Sequence, residues 1–168
     1  MQATLRNWVS RWSLLLAVAM LAPLTARALE RGDAAPDFSL QGPSGAVRLA
    51  DFKGKLVVLD FWASWCGPCK QSFPWMNDIQ ARYRDKGLRI VGVNVDKRQA
   101  DAMKFLERVP ATFTLAFDAA GNLPRQYGVK AMPTSVLIGP DGRVLDIHSG
   151  FSEDERAARE QAIRQALP

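Results

Sequence analysis

Residues 60–70 read "DFWASWCGPCK". They contain both cysteines of the 168-residue chain, Cys66 and Cys69, with only Gly67 and Pro68 between them. Upstream, "KLVVLDFW" (55–62) is a continuous apolar run, the pattern of a strand buried on both faces. Downstream, Phe73, Met76, Ile79 and Tyr83 recur at helical spacing, so 67–86 is predicted to be a helix, with Pro68 in its first turn and Pro74 expected to kink it. The cysteines therefore fall at a strand-to-helix junction.

Three chemistries suit two thiols at that spacing. A closed structural zinc site takes about four Cys or His ligands. The chain offers two cysteines and one histidine, His148, so no metal site is expected. Copper(I) accepts two thiolates, with Met132 or Met76 as possible helpers, and a copper(I)-handling chaperone stands as the alternative reading. A structural staple is weak, because a bridge between residues three apart closes a very small loop. A reversible disulfide fits best. Cys66 would sit where unpaired N–H groups and the helix dipole favour a thiolate, and Cys69 one turn further in. Cys66 is then the nucleophile and Cys69 the resolving thiol.

Outward from this segment the chain reads as one α/β domain. "DFSL" (37–40) and "AVRL" (46–49) flank the turn residues "QGPSG" and predict an N-terminal β-hairpin. "LRIVGVNV" (88–95) is a second buried strand. Ala102, Phe105, Leu106 and Val109 mark an amphipathic helix, followed by a short strand at 114–118. One or two helical turns are expected at 122–128. Strands 134–138 and 143–149 flank "GPDG", a strong turn. "SEDERAARE" opens the last helix, with Ser152 as its expected N-cap. This order implies a mixed sheet with helices on both faces.

The leader "MQATLRNWVSRWSLLLAVAMLAPLTARA" has a basic start, a short apolar core and an Ala26-Arg27-Ala28 cleavage pattern, as a secretory signal peptide does. The expected division is a signal peptide at 1–28, or an uncleaved anchor, and a domain at 29–168. Three of the 22 basic residues, Arg6, Arg11 and Arg27, lie in the leader, so 19 basic side chains face 17 acidic ones beyond it. No basic stripe is visible, which argues against nucleic acid as a partner. An oxidising compartment, the periplasm, is the expected location.

"DFWASWCGPCK" resembles the active-site segment of the thioredoxin superfamily. "AMPT" (131–134) resembles its loop before a cis-proline. The stretches "APDFSL", "LADFKGKLVVLDFWASWC", "VGVNVD" and "YGVKAMPTSVLIGPDGRV" make the chain most similar to exported TlpA/ResA-type members, over about 35–151. That resemblance implies a thioredoxin-like three-layer α/β/α sandwich with a mixed central sheet, an N-terminal β-hairpin and an inserted helix and strand. It implies thiol–disulfide exchange without a cofactor or metal, and a cis Pro133 lying against Cys66. Asp60, six residues before Cys66, matches the family's buried carboxylate and would move protons to and from Cys69. Trp65, Gly67, Pro68, Met132, Pro133 and Thr134 are the implied client-facing residues. Implied partners are disulfide- or dithiol-bearing exported proteins, such as cytochrome c or copper-site assembly clients, and a membrane electron donor; a monomer is expected. Two departures stand out: the exported subgroup often has Asn where Asp60 stands, and Glu where Ser72 stands. A peroxidase reading is disfavoured, because Ala63 occupies the position where that pattern has Thr or Ser.

Overall fold

The computed structural model describes residues 28–168. The predicted leader lies outside the described residues except for Ala28. The central sheet has seven strands: β1 (Ser39–Gly42), β2 (Gly45–Arg48), β3 (Leu56–Trp62), β4 (Leu88–Asn94), β5 (Thr114–Phe117), β6 (Thr134–Ile138) and β7 (Val144–Ser149). Their order is β2-β1-β5-β4-β3-β6-β7. β3, β4 and β5 run parallel, while β6, β7 and the β1–β2 hairpin pair antiparallel. This is the mixed sheet expected from the sequence.

The parallel strands need crossovers, and two helices supply them. α1 (Gly67–Tyr83) links β3 to β4, and α2 (Gln99–Arg108) links β4 to β5. Both pack on one face with α4 (Arg156–Ala166), through Phe73, Trp75, Met76, Ile79, Ala102, Phe105 and Ile163. α3 (Asn122–Gln126), the lead-in to β1 and the turn at Leu49–Phe52 cover the opposite face, where Phe38, Leu123 and Tyr127 are buried. The result is the expected three-layer thioredoxin-like sandwich.

Alternation along β3 assigns its side chains to the two layers. Leu56, Val58 and Trp62 join the α1 side, and Val57, Leu59 and Phe61 the α3 side. All seven residues of β3 are buried, as the apolar run required. The inserted helix α2 has a specific packing task. Phe105 and Phe73 both lie beside Trp62, with ring centroids 5.0 Å away, and Phe113 stacks edge-on to Phe73 at 5.1 Å. Gly92 on β4 leaves room for this cluster, since a Cβ there would meet Phe113 at 2.8 Å and the Trp62 indole nitrogen at 3.2 Å.

Several boundaries differ from the sequence reading, mostly by one or two residues, and three of the differences are informative. The hairpin turn is only Pro43–Ser44, because Gly42 pairs directly with Gly45. α1 runs unbroken through Pro74 but stops at Tyr83, giving way to a 3-10 turn (Arg84–Lys86) that Gly87 closes in the left-handed region, φ 98°. α4 starts at Arg156, and Ser152 does not cap it. The acidic residues ahead of it are engaged elsewhere: Glu153 accepts from Arg156, and Glu155 bonds His148.

Both sheet edges are short or irregular. β2 has four residues and runs into the Arg48–Asp51 capping box. β7 carries a register shift opposite Leu137/Ile138, with Ala34 bridging to Arg143 just before the strand.

Candidate active site

β3 ends at Trp62, and the chain turns through Ala63–Trp65 into α1. Cys66 is the N-cap of that helix, in extended conformation, and its Sγ accepts a hydrogen bond from the Cys69 N–H at 3.2 Å. A cysteine sulfur in this position meets the unpaired donors of the first turn, which favour a thiolate. Cys66 and Cys69 are joined by a disulfide, S–S 2.05 Å, with Cα atoms 5.3 Å apart. Cys66 is 3% exposed and Cys69 0%. Both sulfurs are thus buried in the disulfide form, Cys66 being the slightly more exposed residue. Gly67 and Pro68 are exposed beside it.

The Met132–Pro133 peptide is cis, as the resemblance implied. Thr134 begins β6, and its hydroxyl donates to the Ala131 carbonyl at 2.8 Å, tying the loop to the strand. Pro133 accepts from the Gly150 N–H at 2.7 Å. Met132 is half-buried, and Trp65 is 70% exposed, an unusual position for an indole in a folded chain. Trp62 and Trp75, by contrast, are core residues. Ser72, where the subgroup often has Glu, is buried and donates to the Cys69 carbonyl at 3.2 Å.

Asp60 is 1% exposed and lies on the α1 side of β3, the layer that holds Cys69. One carboxylate oxygen accepts from the Ser135 hydroxyl at 2.6 Å, and the other has no hydrogen-bond partner. Burial pushes the carboxyl up to about 7, while the Ser135 hydrogen bond and the Arg159 charge pull the other way. A carboxyl poised near neutrality can both take and give a proton.

Sequence reading missed two sets of residues here. The first is Ser135 and Arg159. Ser135 stands opposite Asp60 in the β3–β6 register, and Arg159 reaches in from α4 to donate to its hydroxyl oxygen at 2.7 Å. The second is Asp96, just past β4. It accepts from the Ser64 N–H and hydroxyl, each at 2.9 Å, and from Asn94 at 2.7 Å. This buried carboxylate fixes the loop that presents Trp65 and Cys66. Two polar residues closing the otherwise apolar "VGVNVD" were the available signal.

Comparison with known proteins follows this geometry. A family model described as Redoxin matches residues 30–166. The chain is 34% identical over 141 residues to the thiol-disulfide oxidoreductase ResA of Bacillus thuringiensis subsp. konkukian, covering 83% of this chain and 80% of the relative. It is 39% identical over 125 residues to ResA of Geobacillus thermodenitrificans, covering 74% and 72% respectively. Among solved structures it resembles a Chlorobium tepidum protein assigned as a thiol:disulfide interchange protein DsbE. That match has 57% identity and a TM-score of 0.83, covering 84% of this chain and 100% of the other.

Proposed function

The chain belongs to the redoxin family and is a thioredoxin-fold thiol–disulfide oxidoreductase, and from that premise we propose that it is an exported reductant of client disulfides, working in the periplasm through Cys66 and Cys69. The observation that carries the reading is the cysteine pair at the N-terminus of α1, with Asp60 buried on the same side of the sheet.

In the reduced protein the Cys66 thiolate attacks a client disulfide. A mixed disulfide forms at Cys66, and one client sulfur leaves as a thiolate that takes a proton from solvent. The Asp60 carboxylate accepts the Cys69 proton. The Cys69 thiolate then attacks the Cys66 sulfur, closes the Cys66–Cys69 disulfide and releases the second client thiolate. Two electrons have passed to the client. Exposed Trp65, Gly67 and Pro68, with half-buried Met132, form the surface that receives the client segment; Pro133 and Thr134 are buried and shape that surface from beneath rather than facing the client. A membrane donor returns two electrons to the pair. Clients such as apocytochrome c or copper-site assembly proteins suit this chemistry by family analogy, and the basic, apolar leader supports export.

The Gly-Pro dipeptide between the cysteines supports the reducing direction. Equilibration with a thiol redox buffer tests it. A reduction potential near that of thioredoxin, about −270 mV, is expected; a value near that of DsbA, about −120 mV, would reverse the direction.

A further inference from the structure

The β3–β6–β7 register places Asp60, Ser135 and His148 side by side across three neighbouring strands. All three lie under α1 and α4. Asp60 cannot reach a compensating charge from its own strand. Its neighbour in the β4 register is Gly92, which has no side chain to offer. The compensating group comes instead from α4. The Arg159 guanidinium packs against two neighbouring rings, 5.0 Å from the Trp75 centroid and 5.6 Å from that of Phe151. From there it donates to the Ser135 oxygen, and the Ser135 hydroxyl donates to Asp60.

This is a directed chain of hydrogen bonds. A guanidinium is acceptor-free and keeps its charge, so it fixes Ser135 as an acceptor on one side. The serine proton is thereby turned toward Asp60, where it stabilises a carboxylate. The other charged groups nearby are Asp146 and His148 on β7, which line a small cleft with Ser135 and Arg159, and Glu155, which is bonded to His148. From α1 the facing redox groups are Cys66 and Cys69, which do not titrate while bonded to each other.

We propose that Ser135 and Arg159 are positioning residues for the exchange reaction, an arm from the C-terminal helix that keeps the Asp60 proton exchangeable during the cycle. Without the arm, a carboxyl this buried would hold its proton through neutral pH. It could not then accept the Cys69 proton. The inference rests on the exchange mechanism proposed above, but its direct readout does not need turnover.

The test is a carboxyl-carbon NMR titration of the oxidised protein labelled at aspartate, with Asp60→Asn identifying the Asp60 signal. Ser135→Ala and Arg159→Met are expected to raise the Asp60 midpoint by about one pH unit or more. Arg159→Lys, which keeps the charge, should restore part of the shift. Glu160→Gln loosens α4 at its other anchor without touching Ser135 and should leave the midpoint in place. Ser135→Ala removes a single oxygen, so it keeps the test open if Arg159→Met does not fold. An unmoved midpoint in Ser135→Ala, or an equal shift in Glu160→Gln, would overturn the proposal. Shifted titration in a protein that exchanges no disulfides would sink the exchange mechanism and leave the arm's hold on Asp60 supported. Normal exchange with an unshifted midpoint would sink the arm alone.

Discussion

The two faces of β3 come from seven consecutive residues and differ in kind. Toward α3, Val57, Leu59 and Phe61 are buried among Val91, Val93, Val136 and Ile138, a hydrocarbon layer. Toward α1, the same strand presents Val58, Asp60 and Trp62 beneath a disulfide and an arginine. Among the described residues, the buried side-chain polar atoms without a hydrogen-bond partner are Asp60 Oδ2, Trp62 Nε1 and Trp75 Nε1, and all three lie in that second layer. Unpaired buried polar groups cost stability. One face of the strand therefore supplies packing, and the other carries groups whose cost that packing offsets.

Replacing Cys66 by Ser should have the largest effect. It should abolish reduction of a model disulfide such as insulin, read by precipitation in the presence of a dithiol donor. Cys69→Ser should instead accumulate a mixed disulfide visible by mass spectrometry. Retained turnover in Cys66→Ser would move the chemistry off this face altogether.

The opposite face should answer in stability alone. Phe61→Ala is expected to cost about 3–5 kcal/mol in urea denaturation, with the pH midpoint of exchange unchanged. A displaced midpoint would show that the two faces are coupled.

Asp60→Asn should act with the reverse sign on stability. The carboxyl is raised from 3.8 to about 7 by burial, so between those values the folded state binds more protons than the unfolded one. Unfolding free energy then falls as pH rises from about 4 to about 7. Asp60→Asn should be stabilising above pH 7, by up to about 4 kcal/mol, and neutral below about pH 4. Denaturation curves at pH 4 and pH 8 measure this. A destabilised Asn variant at pH 8 would mean that the carboxylate earns its place structurally.

The smallest effect belongs outside both faces. Arg82 clamps α4 to α1 by bonding Glu160 at 2.6 and 2.8 Å, with the Tyr83 hydroxyl also donating to Glu160. These hydrogen bonds bring the Glu160 carboxyl down to about 2. Its contribution is therefore present above the ordinary carboxylate range and lost as pH falls through about 2. The site is near the surface, so Glu160→Gln should cost less than about 1 kcal/mol at pH 7, read from the denaturation midpoint.

Much of this arrangement is visible in sequence because it is local. The apolar runs at 55–62 and 88–95 are long enough to name buried strands, and the Cys-Gly-Pro-Cys segment follows one directly. Asp60 is legible through the family resemblance, which places a buried carboxylate six residues before Cys66. Ser135 and Arg159 are not. They lie 75 and 99 positions from Asp60, and only the antiparallel return of β6 and the docking of α4 bring them to it. Asp96 is hidden for the same reason, since its partner Ser64 is 32 residues away. α4 starts later than the sequence suggests, because Ser152 and the acids after it have the composition of an N-terminus. In the fold, Glu153 and Glu155 instead hold Arg156 and His148.

The short hairpin edge at β2 and the shifted register along β7 bear on the company this protein keeps. A long, flat outer strand is a template on which another extended chain can grow by backbone pairing. Neither border of this sheet offers such a chain a long regular run, since β2 has four residues and β7 shifts register opposite Leu137/Ile138; in the exchange proposed above, a client would meet the exposed Trp65 rather than an open strand.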